Sequence, residues 1–252
     1  MAAGLADEMQ DLDKREWAEF FVSDGNPDPK KAKWLSQFDL VVSFLHDPKR
    51  VWANNLRRIS SARLLEGCSR PSENGGMHAS KVLLSVLEEI GISGLDSLPQ
   101  INVDAADKGR YGLAVHPGSG SESKNWPVAK WCEFLGKWLE NNRGRLLVVG
   151  GEAEIGKLDQ IQQAISSEQV DFLENVPLPD LAQMLKSSRI FMGHDSGISH
   201  LSAALGVQSV ILWGATNRIL WGPQHHDVRF IQADEAMDSI TVDEVLKAVE
   251  GG

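Results

Sequence analysis

The sequence predicts a doubly wound α/β domain beginning at Tyr111, and three observations carry that expectation. Short aliphatic and β-branched runs recur from Tyr111 onward at the spacing of βαβ units. The stretches between them place apolar residues at helical intervals, as with Trp131, Leu135, Trp138 and Leu139. Three of the strand ends run into polar, glycine-rich turns, which is where open parallel sheets bind ligands.

Taken in order, the expected strands are LAVH at 113–116, LLVVG at 146–150, VDFL at 170–173, RIFMG at 189–193, SVILWG at 209–214 and VRFI at 228–231. Helices are expected at 128–140 and 178–186, with a last one at 241–249 capped by Thr241, with Asp243 and Glu244 in its first turn. The first 110 residues are less regular. FDLVVSF at 38–44 reads as a buried strand, 49–59 as a helix, ARLLEG at 62–67 as a second strand and 80–90 as a helix. GCSRPSENGGMH at 67–78 reads as a long loop and 98–110 as a linker, so the expected domains are 1–110 and 111–252.

Composition bounds what this chain can do. Its 252 residues are 42% hydrophobic and 24% charged, with no apolar run near the roughly 18 residues needed to span a bilayer. The 25 Lys and Arg against 35 Asp and Glu leave a net charge of -10, a poor basis for holding a nucleic-acid backbone, so no nucleic-acid partner is expected. Two cysteines, Cys68 and Cys132, build neither a disulfide framework nor a metal cluster, and read as reduced thiols of a cytoplasmic protein. The N-terminus MAAGLADEMQDLDKREW is acidic and lacks the form of a signal peptide.

The first polar turn, HPGSGSESKNWP at 116–127, offers Gly118 and Gly120 for close backbone approach, the hydroxyls of Ser119, Ser121 and Ser123, and the charge of Lys124. That set suits an anion, against the alternative of a mobile Ser/Gly loop. It is neither a Walker A loop nor a complete GxGxxG fingerprint. In the second turn, GHDSGISHLSAALG at 193–206, Asp195 falls at a strand end, Ser196 can cap the next helix, and Gly197 to His200 form its first turn. A helix N-terminus of this kind holds anions, with Ser196 and His200 on one face; the alternative is a plain cap and a half-buried histidine. The third turn, GGEAE at 150–154, puts Glu152 or Glu154 where a carboxylate can take hydrogen bonds from a ribose diol, or where it complements a helix dipole. The His225, His226, Asp227 run reads as a surface turn, and no metal site is expected.

Together HPGSG with KNWP, LLVVGGEAE, PLPDLAQMLKSSRIFMGHDSGISHLSAALGV and LWGATN with WGP resemble glycosyltransferase family 9, the ADP-heptose:lipopolysaccharide heptosyltransferases, over 111–231. The resemblance implies a GT-B fold of two Rossmann-like lobes, the C-terminal one binding a nucleotide-sugar donor, with no further cofactor and no metal. It also implies that Ser119, Gly120, Ser121, Lys124, Ser196, Gly197 and His200 contact the donor diphosphate. Asp195 would hold sugar hydroxyls, Glu154 the ribose, and the backbone near Val176 and Leu178 the adenine. The activity implied is inverting transfer to a lipopolysaccharide core or related glycan. Family members open with a strand and a GD-containing loop that carries the catalytic base. Residues 1–110 look instead like an incomplete N-terminal lobe, leaving Asp47, or His46 beside it, as the candidate base by position. Lys49, Arg50, Arg57 and Arg58 are expected on one helix face, either solvated or turned to an acidic lipid-linked acceptor or the inner membrane surface. The competing readings are a nucleotide-sugar binding protein without transferase activity, and another GT-B nucleotide-sugar enzyme that prefers UDP.

Overall fold

The computed structural model of the chain describes residues 4–151 and 154–251, in two compact units that meet in sequence between Ser97 and Leu98. The division falls ahead of the 110/111 boundary expected from the sequence. The expected linker belongs to the second unit, because its backbone is hydrogen-bonded there: Ile101 N donates to Ala204 O at 2.8 Å and Asp107 N to Ser187 Oγ at 3.1 Å.

The first unit begins with a 3-10 helix at Arg15–Phe21 and helix α1 (Pro29–Leu35). A βαβ unit follows: strand β1 (Leu40–Ser43), helix α2 (Val51–Ile59) and strand β2 (Arg63–Glu66), the strands pairing in parallel. Helix α3 (Ala79–Leu84) then runs into a second 3-10 helix at Ser85–Ile90. The helix expected at 80–90 therefore changes pitch at Ser85, whose hydroxyl donates to Val82 O at 2.8 Å. Trp17, Phe20, Leu35, Trp52 and Leu56 form the core, with the Phe20 ring 5.2 Å from Trp17 and 5.5 Å from Trp52. Aromatic rings at these separations supply large buried area to a small core.

Two expectations for this unit are corrected. Strand 38–44 is not buried: Phe38, Leu40 and Phe44 are exposed, since among the described residues β1 pairs with β2 alone. The basic helix face does not form as a face. Lys49 precedes α2, and Arg50 is its N-cap with φ of 56°, in the left-handed region. Arg50 and Arg57 both pair with Glu66 on β2, and Arg58 reaches Asp24 and the carbonyl of Gly25.

The second unit alternates strand and helix throughout: β3 (Tyr111–Val115), α4 (Val128–Asn141), β4 (Arg145–Gly150), α5 (Ile155–Ala164), β5 (Val170–Glu174), α6 (Leu178–Lys186), β6 (Ser188–His194), α7 (Gly197–Ala204), β7 (Gln208–Trp213), α8 (Arg218–Trp221), β8 (Val228–Gln232) and α9 (Val242–Glu250). All six expected strands form, within one or two residues at their ends, and make one parallel sheet in the order β5-β4-β3-β6-β7-β8. Trp126, Trp131 and Phe134 pack with α9 residues such as Val245 in one layer, while Leu185, Phe191 and Trp213 pack with α6 and α7 in the other. The Thr241 cap forms as a capping box with Glu244, whose carboxylate accepts from Thr241 N at 2.8 Å.

In the first unit, Asn55 on α2 is buried and its amide nitrogen donates to Phe20 O at 3.0 Å and Val22 O at 2.8 Å, closing the end of the first 3-10 helix. Replacing it by Leu strands those buried carbonyls, at a cost of about 1–3 kcal/mol. Amide exchange across residues 15–22 of Asn55→Leu is expected to accelerate while the sheet from β3 to β8 stays protected. Equal acceleration in both places contradicts this local role.

Candidate functional site

The sheet order puts β3 at the point where the winding reverses, with β4 and β5 built outward on one side and β6, β7 and β8 on the other. Connections leaving β3 and β6 therefore diverge, and the crevice beyond their carboxyl ends is the ligand position of a doubly wound sheet. The two turns singled out in the sequence are those that leave β3 and β6, and the third leaves β4, the other neighbour of β3. Topology thus gathers all three on one edge.

His194, the last residue of β6, holds the first turn in place. It is fully buried; its Nε2 accepts from Trp126 N at 2.8 Å, and its Nδ1 faces Gly118 O at 3.4 Å. Accepting at Nε2 requires the proton on Nδ1, so both nitrogens are used only by the neutral ring. Burial pushes its pKa down to about 3. The Trp131 ring packs edge-on against it at 5.4 Å. Gly118 lies under the Glu154 side chain: a Cβ there would sit 2.1 Å from Glu154 Cγ. Only glycine fits. At Gly120, by contrast, a Cβ would meet open space.

Along the same turn, Ser119 Oγ lies 2.8 Å from Asn125 Oδ1, Ser121 Oγ lies 3.0 Å from Ser123 Oγ, and Gly120 and Ser121 are exposed. Lys124, in a short 3-10 helix at Glu122–Lys124, reaches across to Asp195 with Nζ 2.6 Å from Oδ2. The two groups that the resemblance divides between diphosphate and sugar are here bonded to each other. Ser196 caps α7, its Oγ accepting from Ser199 N, and Gly197 and His200 are exposed on the first turn of that helix. The N-terminal amides of α7 are thus presented beside the Lys124–Asp195 pair, an arrangement that favours negative charge.

A cavity of 470 Å³ opens beside these groups, lined by His116, Glu154, Val176, Leu178 and Ile198 among others. Glu154, Val176 and Leu178, expected from the resemblance to meet ribose and base, come together here. Glu154 is buried at the N-terminus of α5, where one oxygen accepts from Gly151 N at 2.8 Å, and the residue also lines the cavity. Glu152, its alternative, lies outside the described residues. Sequence reasoning gave no role to three lining or supporting groups, His116, His194 and Asn175. Asn175 adopts φ of 53° on the turn after β5 and lines the cavity. The signal available for the two histidines was their place as the last polar residue of an apolar strand.

Asp47 is placed elsewhere, in the first unit. Its Oδ1 accepts from Val51 N at 2.7 Å and its Oδ2 from Ala53 N at 2.9 Å, so both oxygens close the N-terminus of α2. His46 is exposed next to it. His225 accepts from Asp227 N at 3.3 Å in a turn before β8, and no group of three metal-ligating side chains occurs among the described residues.

Fold and site together define a doubly wound α/β protein with a crevice at the sheet's switch point, where the N-terminus of α7 and the Lys124–Asp195 pair stand beside a cavity. More particularly, residues 91–247 match glycosyltransferase family 9 (heptosyltransferase), and the chain belongs to that family. It is similar to lipopolysaccharide heptosyltransferase 1 of Pseudomonas aeruginosa, 30% identical over 130 residues that make 52% of this chain and 35% of the relative. To lipopolysaccharide heptosyltransferase 3 of Escherichia coli it is 25% identical over 167 residues, 61% of this chain and 48% of the relative. The matches thus span between about a third and a half of these relatives' length. Among solved structures it resembles the glycosyl transferase family 9 from Veillonella parvula, with a TM-score of 0.73 at 15% identity over 88% of this chain and 76% of that one. It also resembles E. coli heptosyltransferase WaaC with ADP, with a TM-score of 0.70 at 18% identity over 87% of this chain and 75% of that one. The fold is of the GT-B type.

The buried histidines set an acid limit. In the unfolded chain histidine binds a proton near pH 6.5, whereas burial lowers the pKa of both His194 and His116 in the folded chain. The unfolded state then binds more protons below pH 6.5, so this contribution to stability is complete above that pH and is lost as pH falls towards the folded values. Each histidine adds a slope of up to about 1.4 kcal/mol per pH unit. Urea midpoints are expected to fall between pH 7 and 5.5, and His194→Gln is expected to flatten that fall; an unchanged slope contradicts the assignment.

Proposed function

We propose that the chain acts as a glycosyltransferase that takes a sugar from a nucleoside diphosphate donor, of the ADP-heptose kind, and delivers it to a lipopolysaccharide core or related glycan with inversion. The observation that carries this reading is the convergence at one sheet edge of an anion-favouring α7 N-terminus, the Lys124 ammonium and a cavity holding Glu154, Val176 and Leu178. The diphosphate would seat on the α7 amides and the turn after β3, the ribose diol against Glu154, and the adenine between Val176 and Leu178. Solved structures of a family relative, WaaC with ADP and WaaC with ADP-2-deoxy-2-fluoro heptose, support such a ligand.

The chemistry follows from charge. As the bond from sugar to diphosphate breaks, negative charge grows on the leaving group, and amides and an ammonium already aimed at it stabilise that charge without reorganising. Diphosphate competes with Asp195 for Lys124, and the Asp195 carboxylate, released from its partner, becomes an acceptor for sugar hydroxyls. A lipid-linked acceptor would bring the chain to the cytoplasmic face of the inner membrane as a peripheral protein; no helix among the described residues is long and apolar enough to cross a membrane.

A second reading, nucleotide-sugar binding without transfer, draws on one observation: both oxygens of Asp47, the candidate base, are engaged by α2 amides. A transfer assay with ADP-heptose and a lipopolysaccharide core acceptor separates the two, since release of ADP that depends on acceptor supports the first reading and donor binding without it supports the second. Calorimetry is expected to show ADP bound more tightly than UDP, and tighter UDP binding overturns the donor assignment. Lys124→Ala is expected to weaken ADP roughly ten- to a hundredfold, the worth of one charge-assisted hydrogen bond; unchanged affinity removes Lys124 from the diphosphate site.

A further inference from the structure

His116 lies in the crevice between groups that the donor reading assigns to ribose and to diphosphate. It follows β3 directly, is buried, and lines the 470 Å³ cavity. Its Nε2 lies 3.9 Å from Glu154 Oε2, and its Nδ1 lies 3.4 Å from Ser196 Oγ, the cap of α7. The ring therefore stands between the carboxylate proposed to hold the ribose and the helix end proposed to hold the diphosphate. We propose that His116 is a positioning residue that joins these two halves of the donor site, and that it takes up a proton when a nucleoside diphosphate sugar binds. The proposal rests on the donor-site reading above.

Burial disfavours the imidazolium, and the Glu154 carboxylate, on the α5 side, opposes burial without overcoming it, so the pKa of His116 lies below the usual histidine value. From β6, His194 faces it as a neutral ring with both nitrogens engaged. Lys124 and Asp195 close on each other as a neutral pair. A diphosphate seated on Ser196 brings a second anion to within a few ångströms of the ring, on the side away from Glu154. Two anions flanking one imidazole favour its charged form, and the proton comes from solvent. The charged ring then donates from both nitrogens, fixing the Ser196 hydroxyl and the Glu154 carboxylate in one geometry.

Linkage fixes the sign. A pKa that is higher in the complex than in the free protein makes binding tighter as pH falls through the window between the two values, by up to tenfold per pH unit for one proton. The probe is ADP-glucose, whose bridged diphosphate has no ionisation near neutral pH. Calorimetry at pH 6 to 7 in buffers of different ionisation enthalpy is expected to show net proton uptake by the wild type. His200, exposed on α7, is the other histidine near the anion, so His116→Gln is expected to abolish most of the uptake and His200→Gln to leave most of it. Glu154→Gln, which removes one flanking anion, is expected to move the uptake window to lower pH. Binding without uptake, or uptake unaltered in His116→Gln, overturns this proposal and leaves the donor site standing. A His116→Gln protein that does not bind is decided by the Glu154→Gln shift, where an unmoved window is the overturning result. No binding of ADP-glucose or ADP at any pH overturns the donor-site reading and this proposal with it.

Discussion

The reversal of winding at β3 is the constraint from which the rest of the second unit follows. A parallel sheet needs crossover helices, and right-handed crossovers send the chain to opposite faces when strands are added on opposite sides of the first. Here β4 and β5 are added on one side and β6 to β8 on the other. The turns leaving β3 and β6 must part, and no backbone fills the space between them. The polar groups of the proposed diphosphate and ribose seats are attached to the rim of that space: Lys124 on one turn, Asp195 and Ser196 on the other, Glu154 from the adjoining strand end.

A gap of this kind is useful only if its rim keeps its shape, and the rim after β3 is an irregular stretch of Ser and Gly. The structure fixes it with the neutral ring of His194, which takes the backbone of Trp126 at one nitrogen and faces that of Gly118 at the other. The tryptophans then find their reason. Trp126 donates its indole N–H to Ile240 O at 3.1 Å, tying the end of the turn to the segment before α9, and Trp131 seals the far side of His194. In the first unit Trp17 and Trp52 do a different task, filling a core that a two-stranded sheet cannot fill with aliphatic residues.

Legibility in the sequence tracked the range of the interactions. The strands of the second unit were readable because each is a local run rich in apolar residues, largely buried in β3, β4, β6 and β7 and partly exposed in the edge strands β5 and β8, and Thr241 and Ser196 because a cap acts within three residues of itself. The family resemblance lay in the same local strings. What could not be read were pairings across long separations. Lys124 and Asp195 are 71 positions apart, and His194 and Trp126 are 68 apart. The run 38–44 predicts a buried strand and differs from the structure for a related reason: an apolar run reports what a strand could bury, while the exposure of its side chains depends on what packs against its faces.

Neutral histidines beneath the proposed anion site are at first sight a poor choice, since a lysine or arginine would attract the ligand more strongly. A permanent cation in that position would, however, carry a desolvation cost whenever the anion was absent, or would recruit Glu154 as a tight partner and remove it from the cavity. Imidazole avoids both outcomes. Neutral, it tolerates burial and supports the loop; near an anion it can change charge at modest pH, which a guanidinium cannot. The two rings divide these properties. His194 has both nitrogens committed to backbone and is insulated by Trp131, so it is held to the neutral form. The His116 ring lies 3.4 Å from Ser196 Oγ and 3.9 Å from Glu154 Oε2, distances that a small displacement of Ser196 or Glu154 shortens into full hydrogen bonds. The first histidine therefore fixes the site, and the second is the one whose bonding can still change when a ligand arrives.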